Sequence, residues 1–305
     1  MNIIENITEV TNRPKAITIG NFDGIHKGHQ SLIKTTSNIA IENGYESLIF
    51  TFSKLPEEVF NKRDFNRLND NSLKFTYIEK FKIDTILSID FNEIKEYSAE
   101  FFCEQILINK LNIKCLVIGR NFKFGKNREG NINKLKEYHN KGHFRLIMPE
   151  LEQYDDKNIS STRIRSLLKE GNLFEAKECL GKYYELHGVV TSGEQLGRKL
   201  GYPTANITLN HNYPLNGVYL STIMINGEYH SALSSIGNKP TYNGKEKLLE
   251  VFIMDFDEDI YGKHVKVFFH EKIRNQIKFD NQDDLIKQMN EDHKYAIINS
   301  KKYGI

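Results

Sequence analysis

Two histidines occur in a glycine-rich segment near the start of the chain. The segment reads Gly20-Asn21-Phe22-Asp23-Gly24-Ile25-His26-Lys27-Gly28-His29. An apolar run at residues 16–19 precedes it and a helical apolar pattern follows it, which predicts a strand, a tight turn and a helix. A helix N-terminus favours a phosphate group, and histidines beside it can donate hydrogen bonds to charge that develops on a transferring phosphoryl group. The segment therefore predicts a nucleotide site.

The usual nucleotide-binding motifs are absent from the sequence. No Gly-x-x-x-x-Gly-Lys-Ser/Thr sequence occurs, and no protein-kinase motif set is present. The tetrapeptide from His26 to His29 matches the His-x-Gly-His motif of the nucleotidyltransferases. Histidines near a turn are more often surface or packing residues, so the neighbouring strand and helix are needed to favour the catalytic interpretation.

A second candidate phosphate site lies at the predicted start of a helix, in residues 159–165. Hydroxyl groups at a helix start are good caps, so capping alone would explain Ser160, Ser161 and Thr162. The alternative is an anion site to which Arg165 adds a guanidinium group suited to phosphate. Two helix starts that favour phosphate are what transfer from a nucleoside triphosphate would need.

The first half of the chain alternates strand and helix patterns. Strand-like runs lie at residues 16–19, 48–52, 85–89, 115–118 and 144–148. This alternation predicts a parallel sheet covered by helices. Ligands of such sheets bind beyond the carboxyl ends of the strands, so Gly20 and the segment 119–125, which contains Asn121, are expected to face one crevice. The Asn- and Lys-rich stretch at residues 61–74 is predicted to be a mobile loop or flap.

The pattern changes at about residue 183. Short runs separated by glycine, proline and asparagine predict an antiparallel sandwich or barrel; they lie at residues 184–190, 217–225, 229–236, 248–256 and 265–269. Residues 282–289 predict a closing helix. Three glycines, Gly193, Gly197 and Gly201, indicate a backbone that approaches a ligand. For the glycines alone, a plain loop between strands is the favoured interpretation.

Glu250 is the lone charge in the apolar run at residues 248–254. Strand alternation places it on the face shared with Leu248, Phe252 and Met254. One interpretation is an inward charge that prevents edge-to-edge aggregation of the sheet. The other is a general base aimed at a hydroxyl group. The pattern leaves both open.

Composition limits the class of protein. A length of 305 residues favours two domains, and 39% hydrophobic with 27% charged residues is typical of a globular protein. The formal net charge of +2 provides no electrostatic footprint for nucleic acid. No apolar run is long enough to span a bilayer, and the N-terminus lacks a signal-peptide pattern. The cysteines, Cys103, Cys115 and Cys179, have neither metal-binding nor disulfide spacing, which favours a reducing, cytoplasmic setting.

Three blocks of the first half together resemble the adenylyltransferase module of prokaryotic FAD synthetases. They are residues 20–29, the segment 119–125 with the following Gly130, and residues 159–165, in the family's order. The resemblance implies a Rossmann-like nucleotidyltransferase domain in which His26 and His29 are catalytic. It also implies nucleotide-binding roles for Gly20, Asn21, Phe22, Asp23, Gly24, Asn121, Ser161, Thr162 and Arg165. Position 121 is Asn where many relatives carry Asp.

The second half resembles riboflavin kinases through the sequence Gly-Arg-x-Leu-Gly-Tyr-Pro-Thr-Ala-Asn at residues 197–206. The resemblance implies a six-stranded antiparallel β-barrel with a terminal helix. In it Thr204 and Asn206 hold the Mg²⁺–nucleotide, for which oxygen ligands are suited, and Glu250 is the base for the ribityl 5′-hydroxyl. The remaining implied residues are Gly193, Gly197, Arg198 and Gly201 for the nucleotide, and Asn238, Thr241 and Arg274 for the flavin. Two positions depart from the family pattern: Phe252 replaces a frequent His, and Gln276 replaces the acid of Arg-x-Glu-x-x-Phe.

Together the resemblances imply a bifunctional enzyme of flavin cofactor synthesis. Residues 183–305 would phosphorylate riboflavin with ATP and Mg²⁺ to give FMN, and residues 1–182 would adenylylate FMN to FAD. The expected partners are small molecules, without nucleic acid or membrane, and a homo-oligomer is left open. Three alternatives are a kinase with a degenerate first domain, a cytidylyltransferase for a small phosphorylated alcohol, and a non-enzymatic flavin- or RNA-binding module.

Overall fold

The computed structural model describes residues 1–60, 65–192, 202–241 and 244–303. They form two compact units. The first contains Met1–Phe65 and Asp70–Ser160, and the second contains Asn66–Asn69 and Ser161–Ile305.

The first unit is built on a six-stranded parallel sheet of order β1-β4-β3-β2-β5-β6. Its strands are β1 (Asn2–Ile4), β2 (Lys15–Ile19), β3 (Glu46–Lys54), β4 (Thr85–Asp90), β5 (Ile113–Val117) and β6 (Arg145–Ile147). A small hairpin of β7 (Gln153–Tyr154) and β8 (Lys157–Asn158) follows. The parallel sheet predicted from the alternating pattern is confirmed, with β1 as an additional edge strand.

Helices connect the strands. They are α1 (Lys27–Asn43), α2 (Pro56–Phe60), α3 (Asn71–Glu79), α4 (Ala99–Phe101), which runs into a π-helix (Phe102–Lys110), and α5 (Ile132–Asn140). Short 3₁₀ turns lie at Ile7–Glu9, Phe91–Glu93 and Lys126–Arg128. The strands read as continuous apolar runs because both faces of the sheet are buried: Leu48 and Phe50 pack on one side, and Ile49 packs on the other with Phe22 and Ile33.

The prediction of a loop at residues 61–74 is wrong for residues 71–74. Residues 61–64 lie outside the described part of the chain, but α3 begins at Asn71. The Asp70 side chain caps it by accepting a hydrogen bond from the Leu73 amide. Lys74 is buried, and its Nζ donates to the Phe52 carbonyl at 2.9 Å. This polar sequence is therefore helical because Asp70 caps the helix and because Lys74 donates a hydrogen bond to a neighbouring strand.

The second unit contains a closed antiparallel barrel of order β10-β13-β12-β11-β14-β9. Its strands are β9 (Tyr184–Thr191), β10 (Thr204–Ile207), β11 (Gly217–Ile225), β12 (Glu228–Thr241), β13 (Gly244–Ile253) and β14 (His264–Arg274). The helices are α6 (Ser161–Glu170), α7 (Leu173–Leu180), α8 (Gln282–Asn299) and a final 3₁₀ turn (Ser300–Tyr303). The six-stranded barrel with a terminal helix is confirmed, and α8 runs further than the predicted 282–289.

The two faces of the barrel wall have different roles. Along β13, Leu249, Val251 and Ile253 are buried in the barrel interior. The alternate face lies towards α8, where Ala296 packs with buried Leu220 and Leu233. Any side chain on that outer face near α8 is therefore partly sheltered without being part of the barrel core.

Candidate active sites

The turn after β2 is held in an unusual backbone conformation. Three of its residues have positive φ: Phe22 (51°), Gly24 (88°) and Ile25 (43°). Such angles are costly for residues other than glycine. Phe22 and Ile25 are both fully buried against Ile33 and Ile49, and this packing offsets the strain. The turn is thus built to deliver the start of α1 to one fixed place.

His26 is the N-cap of α1, and its ring orientation is defined. Its Nδ1 accepts a hydrogen bond from the backbone amide of His29 at 3.3 Å. A nitrogen that accepts carries no proton, so the neutral ring carries its proton on Nε2. The two imidazoles stack with centroids 3.6 Å apart and planes at 18°. His26 therefore presents Nε2–H as a donor at the N-terminus of a 17-residue helix.

Gly28 is required by the packing of His26. A Cβ atom at position 28 would lie 3.2 Å from Cε1 of the His26 ring, closer than side chains ordinarily approach. The glycine between the histidines thus leaves room for the first ring to fold back over the helix start. This gives a physical reason for the third residue of His-x-Gly-His.

The other residues of the turn form hydrogen bonds at the carboxyl end of β2. The Gly20 amide donates to the Phe50 carbonyl, and the Asn21 side chain donates to the Glu57 carboxylate at 3.0 Å. Asp23 is buried. The predicted residues from Gly20 to Gly24 therefore all lie at the carboxyl end of β2, and their nucleotide-binding roles stay predictions.

Asn121 follows β5, the neighbour of β2 in the sheet. It lines a cavity of about 380 Å³ together with three cations, Arg120, Lys123 and Arg128. The chain order reverses between β2 and β5, because β3 and β4 lie on one side of β2 while β5 and β6 lie on the other. Ligands of open α/β sheets bind at such a switch point. The two turns therefore lie at one edge of the sheet, as expected.

The third block belongs to the second unit. Ser161 and Thr162 are the first residues of α6, and the Arg165 side chain donates through Nε to the Asn66 carbonyl at 2.8 Å. The serine and threonine hydroxyls thus stand at a helix start, as the sequence indicates. Their partnership with His26 and His29 stays a prediction.

In the second unit, one row of side chains crosses four strands of the barrel wall. Val218, Ser235, Glu250 and Asn206 are successive cross-strand partners on β11, β12, β13 and β10. Directly paired residues have Cβ atoms about 5 Å apart on the same face. The row lies on the outer face, next to α8. Its composition, an acid flanked by a hydroxyl and an amide, is suited to proton transfer and hydrogen bonding.

The closed barrel bears on the two interpretations of Glu250. A charge that prevents edge pairing is useful only on a sheet with an open edge, and closure removes the edges. The inward positions of β13 are Leu249, Val251 and Ile253, so Glu250 does not enter the barrel core. It lies half-buried on the wall of a cavity instead. A closed barrel gives no support to the aggregation interpretation, and the general-base role of Glu250 stays a prediction.

That cavity, the α8 cavity, has a volume of about 280 Å³. It lies between the outer barrel face and α8, and it combines a polar row with an apolar surround. Its lining comprises Tyr202, Thr204, Val218, Leu233, Ser235, Glu250, Phe252, Arg274, Gln276, Ile277, Phe279, Leu285, Met289 and Asp292. An aromatic, flat ligand with a polar tail matches this lining in chemistry.

A second cavity of about 390 Å³, the loop cavity, lies on the other side of Thr204. It is lined by Val190, Pro203, Thr204, Ala205, Ile253, Phe256 and the loop from Asp257 to Tyr261. Thr204 lines both cavities. The unit thus has two adjacent ligand-sized spaces with one hydroxyl between them, the arrangement that transfer between two bound molecules requires.

Arg274 lines the α8 cavity, and its guanidinium group forms an ion pair. Nε and an Nη donate to the carboxylate of buried Asp292 on α8, at 3.0 and 2.7 Å. The charge of Arg274 is therefore paired with a carboxylate of the terminal helix. Its flavin-binding role stays a prediction.

Several predicted residues cannot be placed. Gly193, Gly197, Arg198 and Gly201 lie outside the described residues, as do the side chains of Asn238 and Thr241. Among the residues that are described, no group of three or more His, Cys, Asp or Glu side chains is arranged to hold a metal ion. None of the helices in the described ranges is long and apolar enough to cross a bilayer.

Sequence reasoning missed three contributors to the α8 cavity. Ser235 and Asp292 form hydrogen bonds with Gln276 and Arg274, which lie 41 and 18 residues away in the sequence. The residues next to them in the sequence therefore do not indicate a place in the cavity. Tyr202 adjoins the Pro-Thr-Ala-Asn block, and its hydroxyl donates to Asn290 of α8 at 2.5 Å. By contrast, the helical face with Leu285 and Met289 was visible in the sequence pattern.

Comparison with known proteins matches each half of the chain to a family. A family model described as FAD synthetase matches residues 8–163, and one described as riboflavin kinase matches residues 180–298. Bifunctional riboflavin kinase/FMN adenylyltransferases are similar over most of their length. The one from Buchnera aphidicola of Schizaphis graminum is 40% identical over 297 residues, 95% of each chain. The Haemophilus influenzae protein is 39% identical over 91% of each chain, and that of Escherichia coli K12 is 31% identical over 95% of this chain and 94% of its own.

A solved structure is similar over nearly the whole chain. It is described as a macrolide-efflux protein from Streptococcus pneumoniae, and it superimposes with a TM-score of 0.82 at 30% identity. The match covers 96% of this chain and 97% of the other. Both units of the fold are thus found together in that protein.

Proposed function

This chain belongs to the bifunctional riboflavin kinase/FMN adenylyltransferase family, whose members phosphorylate riboflavin with ATP to FMN and adenylylate FMN to FAD; from this premise we propose how its residues divide the two reactions. Glu250, Thr204 and Asn206 carry the kinase reaction. His26 and His29, with Ser161, Thr162 and Arg165, carry the adenylyl transfer. The kinase-only and cytidylyltransferase alternatives are set aside because both family models match.

In the kinase reaction, riboflavin occupies the α8 cavity and ATP the loop cavity. Glu250 accepts the proton of the ribityl 5′-hydroxyl as its oxygen attacks the γ-phosphorus, and the bond to ADP breaks. The observation that carries this proposal is Thr204, which lines both cavities and so lies where donor and acceptor meet. Such phosphoryl transfer depends mainly on positioning and charge stabilisation.

The donor set around Thr204 and Asn206 fits Mg²⁺. Both side chains present oxygen, the ligand atom that Mg²⁺ prefers, and Mg²⁺ usually takes few protein ligands besides phosphate and water. Thr204 and Asn206 would hold the ion, which neutralises charge on the ATP phosphates when bound. Gly193, Gly197, Arg198 and Gly201 are proposed to bind the phosphates, and Asn238, Thr241 and Arg274 to bind the flavin.

In the adenylyl transfer, a phosphate oxygen of FMN attacks the α-phosphorus of ATP and pyrophosphate leaves. The nucleophile is already ionised, so no strong base is needed. His26 donates from Nε2–H to the charge that develops at the α-phosphate, and His29 supports it through ring stacking and its own imidazole. Ser161, Thr162 and Arg165 hold the departing pyrophosphate. Asn121 and the turn from Gly20 to Gly24 position the nucleotide or the flavin.

We propose that the adenylyltransferase domain ends at residue 182 and that the kinase domain begins at residue 183, just after the helix α7. A cytoplasmic setting is supported by the three cysteines, which are buried free thiols. Burial raises the pKa of Cys103 to about 12 and that of Cys115 to about 11, so neither thiol is reactive near neutral pH. The net charge of +2 supports small-molecule partners rather than nucleic acid.

The division is tested by supplying each flavin separately. Purified protein is incubated with ATP and either riboflavin or FMN over a range of Mg²⁺ concentrations, and the flavins are separated by chromatography. We expect FMN and then FAD from riboflavin, FAD alone from FMN, and no product without Mg²⁺. Kinase activity that persists in full after the ion is chelated would exclude the role given to Thr204 and Asn206.

A further inference from the structure

Gln276 lies at the rim of the α8 cavity, and its amide nitrogen has three acceptors. Nε2 donates to the Ser235 hydroxyl at 3.0 Å, the Ile236 carbonyl at 3.2 Å and, at the longest distance, the Gly217 carbonyl at 3.4 Å. Backbone carbonyls only accept hydrogen bonds. The end of the side chain that faces them must therefore be the NH₂ group, which defines the orientation of the amide.

This orientation limits where the Ser235 proton can point. A hydroxyl has one proton and oxygen lone pairs. Because an amide nitrogen does not accept hydrogen bonds, the Ser235 proton is directed away from the Gln276 amide. Ser235 lines the same cavity as Glu250 and is its direct cross-strand partner. The serine therefore offers a donor within the cavity, next to the proposed base.

We propose that Ser235 donates a hydrogen bond to a ribityl hydroxyl oxygen of riboflavin, and that Gln276 is the positioning residue that sets this polarity. The inference rests on the proposed place of Glu250 beside the ribityl 5′-hydroxyl. Glu250 accepts from one hydroxyl of the chain while Ser235 donates to another. The two opposite polarities on adjacent strands fix the direction in which the ribityl chain lies across the barrel wall.

A carboxylate at position 276 would reverse the arrangement. Glutamate has no N–H, so it would accept the Ser235 proton and leave two carbonyls facing a negative charge. Ser235 would then present lone pairs to the cavity in place of a donor. A second carboxylate near Glu250 would also raise the pKa of Glu250.

The experiment measures KM and kcat for riboflavin in Ser235→Ala, Gln276→Glu and Gln276→Met. The methionine variant is the matched control. Its side chain has a similar length, but it neither donates a hydrogen bond to Ser235 nor accepts the Ser235 proton. For Ser235→Ala and for Gln276→Glu we expect the riboflavin KM to rise about tenfold, with a smaller change in kcat. Gln276→Met should raise KM by only about twofold, because the Ser235 hydroxyl loses the amide that directs it but can still donate to the substrate. Adenylylation of supplied FMN and the thermal unfolding midpoint verify that each variant is folded.

Two further measurements distinguish a hydrogen bond to substrate from a packing role. Inhibition by lumiflavin, which has the ring system but no ribityl chain, should be unchanged in Ser235→Ala. The rise in KM caused by Gln276→Glu should largely disappear in a Ser235→Ala background. The acidic limb of the kinase pH profile should move to higher pH in Gln276→Glu alone.

The inference is overturned if Ser235→Ala keeps the wild-type KM, or if it weakens lumiflavin and riboflavin equally. It is also overturned if Gln276→Glu has the same effect with and without Ser235. None of these outcomes affects the role of Glu250. That role is tested by its own variant, so failure here and failure of the proposed kinase site are distinguishable.

Discussion

Asn206 on β10 lies directly opposite Glu250 on β13, in antiparallel register. The residues are 44 positions apart in the sequence, and each belongs to a different motif. Their pairing brings the proposed metal ligand and the proposed base onto one face of the barrel wall, at a Cβ separation of about 5 Å. The kinase site is thus a property of strand register, which fixes both side chains through backbone hydrogen bonds.

The role of Asn206 as an oxygen ligand can be tested through Mg²⁺. Asn206→Leu keeps a side chain of similar size and removes the oxygen donor. The Mg²⁺ concentration for half-maximal FMN formation should rise by about tenfold or more. FMN adenylylation should keep its wild-type Mg²⁺ dependence. Thr208→Ala, an exposed change just after the same strand, is the control; an unchanged Mg²⁺ requirement in Asn206→Leu would remove Asn206 from the metal site.

Gly28→Ala tests the packing of His26. The added methyl group would lie 3.2 Å from the imidazole and must displace it. Misplacement of a catalytic group by a fraction of an ångström should lower FAD formation from FMN by roughly tenfold or more, with FMN formation unaffected. Asn38→Ala, on the exposed face of α1, should retain both rates. Full adenylylation activity in Gly28→Ala would show that the ring position is not important.

The pair of Arg274 and Asp292 should fasten α8 over the α8 cavity. Asp292→Asn removes the negative charge that is paired with the Arg274 guanidinium group. It should lower the free energy of unfolding of the second unit by about 2 kcal/mol. We expect a higher riboflavin KM and faster proteolysis within α8. The adjacent exposed substitution Glu291→Gln provides the control. Equal denaturant midpoints for the two variants would argue against the fastening role.

His270 predicts loss of stability in acid. Its imidazole is buried on β14, hydrogen-bonded to Thr222 at 2.5 Å and stacked on Tyr303, with Tyr183 and Lys177 nearby. Burial, with a smaller effect of Lys177, lowers the pKa of His270 to about 4. The unfolded pKa is about 6.5, so the neutral form is favoured by folding. Its contribution is complete above about pH 6.5 and is lost as pH falls towards about 4, by roughly 3 kcal/mol.

Urea unfolding followed by circular dichroism at several pH values measures this loss. The wild-type midpoint should fall between about pH 6.5 and 4 more steeply than that of His270→Gln. Parallel slopes in the two proteins would exclude His270 as the group responsible.

Much of this architecture was predictable because its signals are local. Periodicity marked the strands of both units, and the strand, turn and helix around His26 were visible from glycine and apolar spacing. The strand β10 was not predicted, since Thr204 and Asn206 are polar residues in a glycine-rich block and only pairing with β13 makes them a strand. The helix start at Asn71 was missed because a single cap outweighs an unfavourable composition.

The site was predictable where a residue's type and motif suffice, and not where its partner is distant. Glu250 stood out as a lone charge in an apolar run. Ser235 and Asp292 did not, because their roles depend on Gln276 and Arg274, which only the fold brings to them. Closure of the barrel, which leaves no open sheet edge for Glu250 to protect, is likewise a long-range property with no local signal.

The central claim is that two separate sets of residues carry the two reactions. Its most direct test compares Glu250→Gln and His29→Ala, each supplied in turn with riboflavin and with FMN in the presence of ATP and Mg²⁺. The account predicts that Glu250→Gln forms no FMN from riboflavin but converts FMN to FAD at close to the wild-type rate. His29→Ala should accumulate FMN and form little FAD. If either folded variant lost both activities, or if Glu250→Gln still phosphorylated riboflavin at the wild-type rate, this division of the residues would be contradicted.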